Sequence, residues 1–241
     1  MIFTDPPAII GHRGSGSGTA ENTVESMLAA VGAGASWIEI DVQRTRDDEL
    51  VLRHNPTTEA GEFLVELTAG DAGLPGLADI FAAIPADVGI NLDVKTVLED
   101  AVDPPARRTG PLLVPLLTAE AARRPLLVTS FDAALLSHLR GTLKDLPLGL
   151  LTWMTFPAGH AVSAAAGLRL QAVAMHVGSL PLGSEGRHRP TEHTVDIAHQ
   201  AGLDVLLWCP EPADVAGYRA AGVDALIVND VAGCVAALRA S

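Results

Sequence analysis

Positive charge is scarce in this chain. Of 241 residues, 16 are Lys or Arg against 29 Asp or Glu, a formal net charge of -13. A nucleic-acid backbone would meet general repulsion, so no nucleic-acid partner is expected. Any anionic ligand must be held by local positive groups. Cysteine is rare too: Cys209 and Cys234 are the two, both in apolar surroundings. They predict buried, reduced thiols rather than a disulfide or a metal pair, and with them an intracellular setting. The opening "MIFTDPPAII" lacks the basic stretch and long apolar run of a signal peptide, which makes a cytoplasmic location the default expectation. Between Leu146 and Leu168 no Asp, Glu, Lys or Arg occurs, but Pro147, Pro157 and His160 interrupt the run. Strand, loop and helix are expected there, and no stable membrane insertion. The glycines after Arg13 match neither a P-loop nor a dinucleotide fingerprint, so they predict a flexible turn leading into the first helix.

What is present is a regular alternation. The chain is 48% hydrophobic and 19% charged, enough for one large globular domain spanning 1–241. Short β-rich runs are predicted as strands at 8–11, 37–42, 89–95, 126–131, 148–153, 172–178, 204–209 and 225–230. Ala-rich segments with apolar residues near a 3.6 period separate them, several closed by Gly. Eight β-α units in about 240 residues is the arithmetic of a (β/α)8 TIM barrel, whose sites lie at the C-terminal ends of the strands. An open doubly wound sheet is the alternative. The pieces 56–75 and 102–111 are expected to be loop excursions.

Polar residues can be placed on that frame. In "WIEIDVQ", Ile38, Ile40 and Val42 point one way, and Glu39 and Asp41 point the other, about 7 Å apart along the strand. The outward face of a barrel strand meets helices and must be apolar, so the acids turn inward. In "GINLDVK" the same logic turns Asn91, Asp93 and Lys95 inward. Like charges in an interior need a cation or a proton. Glu39, Asp41 and Asp93 are therefore candidate ligands of a divalent metal, and all-oxygen ligation suits Ca2+ or Mg2+ better than zinc. The alternative is a buried ion network with Lys95 or Arg13. His12 and Arg13 end the first strand on the same rim, and His54 ends a short run after the second strand, so two imidazoles could exchange protons there. His176 is expected to be structural. His138, His160, His188, His193 and His199 sit in helix or loop patterns with no evident acidic partner. Asn22 or Thr23 is expected to cap the first helix, with direct substrate contact as the alternative.

The anchors "GHRGSGSGTAENTVESMLAAVGAGASWIEIDVQRTRDDELVLRHN", "LPGLADIF", "NLDVK", "TSFD", "AGLDVLLW" and "AGVDALIVND" resemble the bacterial glycerophosphodiester phosphodiesterases, over nearly the whole chain. The resemblance implies a TIM barrel that hydrolyses a small phosphodiester to an alcohol and glycerol 3-phosphate. It implies metal ligation by Glu39, Asp41 and Asp93, catalysis by His12 and His54, phosphate binding by Arg13 and Lys95, and Trp208 lining the alcohol pocket. Four departures from the family pattern stand out. Asp93 replaces the usual glutamate, and Asn55 replaces the aspartate after the second histidine. "AENT" stands for Pro-Glu-Asn-Thr, and "WCPEP" for Trp-Thr-Val-Asn. Two other readings accompany this one: a phosphodiesterase acting on lipid-bearing diesters, for which "TWMTFPAG" (152–159) is the candidate apolar rim loop, and a weakly catalytic metal- and phosphate-binding homologue.

Overall fold

The computed structural model describes residues 1–16, 18–183 and 189–241. Strands β1 (Ala8–His12) and β2 (Trp37–Arg44) pair in parallel, and β3 (Leu50–Leu52) folds back antiparallel on β2 with Leu52 opposite Val42. The parallel sheet continues from β2 through β4 (Gly89–Val94), β5 (Leu126–Ser130), β6 (Leu148–Leu151), β7 (Ala172–His176), β8 (Asp204–Trp208) and β9 (Ala225–Val228). Because β1 also pairs with β9, the eight parallel strands close on themselves, which excludes the open sheet. The expected (β/α)8 barrel is therefore observed. The run ending in His54 is not a β-α unit of its own: it supplies the short antiparallel β3 as a hairpin on β2.

Helices α1 (Val24–Gly32), α2 (Ala69–Ala72), α3 (Leu77–Ala83), α4 (Thr109–Ala121), α5 (Ala133–Thr142), α6 (Ala158–Gly167), α7 (Thr191–Gln200), α8 (Val215–Ala220) and α9 (Val231–Ala240) follow the strands. The excursion 56–75 holds a 3-10 turn, Leu64–Glu66, and α2. The piece 102–111 is not loop throughout, since α4 begins at Thr109.

Two apolar layers explain the strand sequences. Ile38, Ile40, Val42, Ile90, Leu92 and Val94 face outward and share one core with Met27, Ala30, Ile80, Leu113 and Leu117 of the helices. Inside the barrel, Ile10, Trp37, Leu127, Leu151, Leu206 and Ile227 form a second core. Phe3 meets Trp37 edge-on at 5.1 Å between ring centroids. At Gly89 a Cβ would stand 2.2 Å from the Trp37 ring, so only glycine fits beside the indole. Burying each large aliphatic side chain contributes about 1.5–3 kcal/mol. Polar residues are thus displaced to the C-terminal ends of the strands, where the site forms.

Some expectations need correction. Cys234 is buried, but Cys209 is only half-buried, because β8 ends at the rim and the chain turns there with φ 61°. His199 does have an acidic partner: its Nε2 lies 2.8 Å from Asp224 Oδ2, a contact that only the packing of α7 beside the start of β9 creates. His188 lies outside the described residues. Among the described residues no helix is long and apolar enough to cross a membrane.

Candidate active site

Three carboxylates meet at the top of the barrel interior. β2 carries Glu39 and Asp41 on its inward row, and β4 places Asp93 directly beside Asp41 in register. All three are buried, and one ligand oxygen from each lies within 4.8 Å of the others. Lys95 Nζ lies 3.0 Å from Asp41 Oδ1 and also contacts Asp93 Oδ2. Arg13 reaches Asp41 Oδ2 through Nε at 3.1 Å and Glu21 through Nη1 at 2.9 Å. An ion network of the kind the sequence allowed is therefore present, but it is incomplete. Asp93 Oδ1 is buried with no hydrogen-bond partner, and two cations face three buried acids. Burial, with Asp41 and Asp93 close by, pushes Glu39 well above the usual carboxylate range. Burial also raises Asp93 to about 6, against the pull of Lys95. At Asp41 burial is outweighed by Lys95, Arg13 and a hydrogen bond from Asn22, which together hold it low. An oxygen-only donor set with a negative excess and an orphaned carboxylate oxygen fits a hard divalent cation.

The rim above the acids is built by backbone geometry. Arg13 adopts φ 56°, and its N–H donates to Glu39 Oε2 at 3.0 Å, so β1 hands the turn directly to a site carboxylate. The following glycines do more than supply flexibility. A Cβ on Gly14 would lie 2.1 Å from Ser26 Oγ, and one on Gly16 would lie 1.9 Å from the Asn229 carbonyl oxygen. Thr23 caps α1 by accepting from the Ser26 N–H. Asn22 instead faces the acids: its Nδ2 donates to Asp41 Oδ2 at 2.9 Å and its Oδ1 accepts the Asp41 N–H at 3.0 Å.

Each histidine is oriented by an amide. His12 Nδ1 lies 2.6 Å from Asn229 Oδ1, and His54 Nδ1 lies 3.0 Å from Asn55 Oδ1. An amide oxygen only accepts, so Nδ1 is a donor in both rings and Nε2 is left as the nitrogen that exchanges a proton. His12 Nε2 stands 4.0 Å from Glu39 Oε2. Burial, aided by Arg13 and Lys95, lowers the pKa of His54. His176 is locked by accepting the Gly178 N–H on Nδ1, and its ring packs edge-on against Trp208 at 4.4 Å.

His12, Arg13, Glu39, His54, Asp93, Lys95 and Trp208 line one cavity of about 290 Å³, with Asp41 beside it pairing Arg13 and Lys95. The eight site residues expected from the sequence are thus gathered in one place. The sequence reading missed the roles of five residues. Phe131 and Trp153 stack at 4.6 Å on the apolar side of the cavity. Asn22 and Asn229 orient Asp41 and His12. Gln43 donates from Nε2 to the carbonyls of Arg53 and His54. Only Gln43 left a signal, since it extends the inward row of Glu39 and Asp41. The loop 152–159 packs Phe156 against the outer core but leaves Trp153 69% and Met154 58% exposed.

The closed parallel barrel, with acids, imidazoles and an arginine converging at the C-terminal ends of its strands, defines a class: a TIM-barrel protein with its candidate active site where such barrels carry theirs. The model of the glycerophosphoryl diester phosphodiesterase family matches residues 12–70 and 61–232. The chain belongs to that family, and it is an enzyme of the phosphodiesterase class. A glycerophosphodiester phosphodiesterase of Caldanaerobacter subterraneus subsp. tengcongensis is 25% identical over 92% of this chain and 93% of its own. Among solved structures, a glycerophosphodiester phosphodiesterase from Thermotoga maritima has TM-score 0.75 and 19% identity, covering 97% of this chain and 99% of its own. An Oleispira antarctica phosphodiesterase, solved with the product sn-glycerol-3-phosphate, has TM-score 0.77 and 18% identity, covering 97% of each chain.

Proposed function

We propose that the protein hydrolyses glycerophosphodiesters to an alcohol and glycerol 3-phosphate, with a divalent cation, Ca2+ or Mg2+, held by Glu39, Asp41 and Asp93. The observation that carries this reading is the buried three-carboxylate cluster directly beneath two imidazoles and Arg13. When bound, the cation supplies charge neutralisation at the phosphoryl oxygens. Arg13 and Lys95 add positive charge at the same oxygens, which stabilises the charge that builds there as the phosphorus is attacked.

The two Nε2 atoms carry the protons. His54, its pKa lowered by burial and its cationic neighbours, accepts the proton of the nucleophile, a water or the adjacent glycerol hydroxyl. His12, entering the step as the imidazolium, passes its Nε2 proton to the departing alcohol oxygen and is left neutral. Each transfer is worth roughly 10²- to 10⁴-fold. Asn55, although uncharged, keeps the acceptor that fixes the His54 tautomer. Trp208, Phe131 and Trp153 wall the side on which the alcohol group leaves.

One observation favours activity on lipid-bearing diesters as a second reading. Phe63, Leu98, Val102, Trp153 and Met154 are all exposed, and all lie on connections leaving the C-terminal ends of the strands. Alcohol release from glycerophosphocholine, glycerophosphoethanolamine and lysophosphatidylcholine, each with Ca2+, Mg2+ or chelator, separates the readings. The first predicts fastest release from the acyl-free diesters, loss with chelator, and loss in His12→Ala and His54→Ala. Faster release from lysophosphatidylcholine selects the second, and no hydrolysis of any diester selects a binding homologue.

A further inference from the structure

His54 occupies an unusual place for a proton-transfer residue. It lies two residues beyond the end of β3, where much of the residue faces solvent although the imidazole is partly shielded in the cavity, and Arg53 is half-buried, so packing alone does not fix the height of the ring. Its imidazole must nevertheless stand at a fixed height over the carboxylates of β2. The chain after it enters the excursion 56–75, whose bonds nearest His54 are local: the Leu64 N–H donates to the Pro56 carbonyl and Arg53 Nε to the Thr57 carbonyl. Its far end is tied to the barrel by the Arg46 N–H to the Leu67 carbonyl and the Leu52 N–H to the Pro75 carbonyl.

Gln43 supplies the missing link. It is 2% exposed and sits on the inward row of β2, two residues beyond Asp41 and four beyond Glu39. Its Nε2 donates to the Arg53 carbonyl at 3.1 Å and to the His54 carbonyl at 3.0 Å. Both protons of one buried amide are therefore spent on two consecutive carbonyls of the segment that carries the imidazole. The Arg53 N–H donates in turn to the Asp41 carbonyl at 3.1 Å. The same strand thus holds two of the site acids directly and the histidine through one side chain.

We infer that Gln43 is a positioning residue, setting the reach of His54 over the acids. The inference rests on the proposal that His54 transfers a proton. A misplacement of about 1 Å in such a group costs up to about 10²-fold in rate. Without its two donors the Arg53–His54 segment keeps only the Arg53 N–H as a hydrogen bond to β2, and His54 is held less firmly over the acids. A carboxylate of the same length would turn acceptors toward two carbonyls and push the segment away.

The test compares wild type with Gln43→Met, Gln43→Leu, Gln43→Glu and His54→Ala, measuring kcat, KM, the midpoint of activation by Mg2+ or Ca2+, and Tm. Gln43→Met and Gln43→Leu should lower kcat about 10- to 100-fold while KM and the metal midpoint stay within about twofold. Gln43→Glu should lower kcat at least as much. Where residual rates are measurable, adding Gln43→Leu to His54→Ala should cost nothing further. Retention of kcat within about twofold in Gln43→Met and Gln43→Leu overturns the inference. So does a parallel change of KM and metal midpoint, or failure of both variants to fold, since either makes Gln43 a general structural residue. Near-normal turnover in His54→Ala is a different outcome: it removes the two-histidine proposal itself.

Discussion

Replacing Asn22 with Ala perturbs the site without touching a carboxylate. In the wild type the Asn22 amide makes a reciprocal pair with Asp41, donating to its carboxylate at 2.9 Å and accepting its backbone N–H at 3.0 Å. Both residues are buried. The lost hydrogen bond to a charged group is worth about 1.5–3 kcal/mol, and the orphaned Asp41 N–H costs about 1–3 kcal/mol. Asn22 also adopts φ 58°, where Ala is strained by about 1–2 kcal/mol relative to glycine. The contributions share one contact and do not add in full, so the net loss is expected near 3–5 kcal/mol. For a chain of this length that lowers Tm by about 10 °C. Asn22→Gly removes the same hydrogen bonds without the backbone strain, and should fall less by about 1 kcal/mol. Thermal unfolding of the three proteins, with and without Mg2+, reads both quantities. The metal-induced rise in Tm should shrink in both variants, because Asp41 is no longer held in place. A Tm within about 2 °C of wild type for both variants would refute the reasoning and return Asn22 to a helix-capping role.

Three further outcomes follow from other parts of the structure. In the metal-free protein the Asp93 carboxyl is raised from its ordinary value of 3.8 to about 6, so its contribution to stability is present below about pH 4 and is lost as pH rises through 6. The cation must displace that proton, so metal-induced stabilisation should be large at pH 7.5 and small at pH 5; equal Tm shifts at both would contradict it. Arg44 is 1% exposed and its guanidinium serves Asp48, Asp100 and Asp103 at 3.3, 3.6 and 2.6 Å. Arg44→Ala removes the cation from Asp100 and Asp103, while Asp48 keeps Arg107, and should cost about 3–5 kcal/mol in chemical denaturation. Gly89→Ala would drive a methyl into the Trp37 ring, and should cost at least about 1–3 kcal/mol, read as a lower Tm, while the metal midpoint stays unchanged.

The amino-acid sequence alone determined the strand alternation, and from it the barrel and the inward rows of Glu39, Asp41, Asp93 and Lys95. Period-two placement is a local property, and the helix-covered outer face leaves polar side chains no other direction. It also marked His12 and Arg13, because they end a strand. The hairpin strand β3 was not legible, since three apolar residues before His54 carry no signal of antiparallel pairing. Cys209 and His199 were misjudged for a related reason: a rim turn and a contact between α7 and the start of β9 are set by packing. Tertiary structure alone decided which residues orient the site. Asn22 meets Asp41 across 19 positions, and Asn229 meets His12 across 217. A single amide has no periodicity to betray it; its role exists only once barrel closure brings β9 beside β1 and the turn after Arg13 folds over β2.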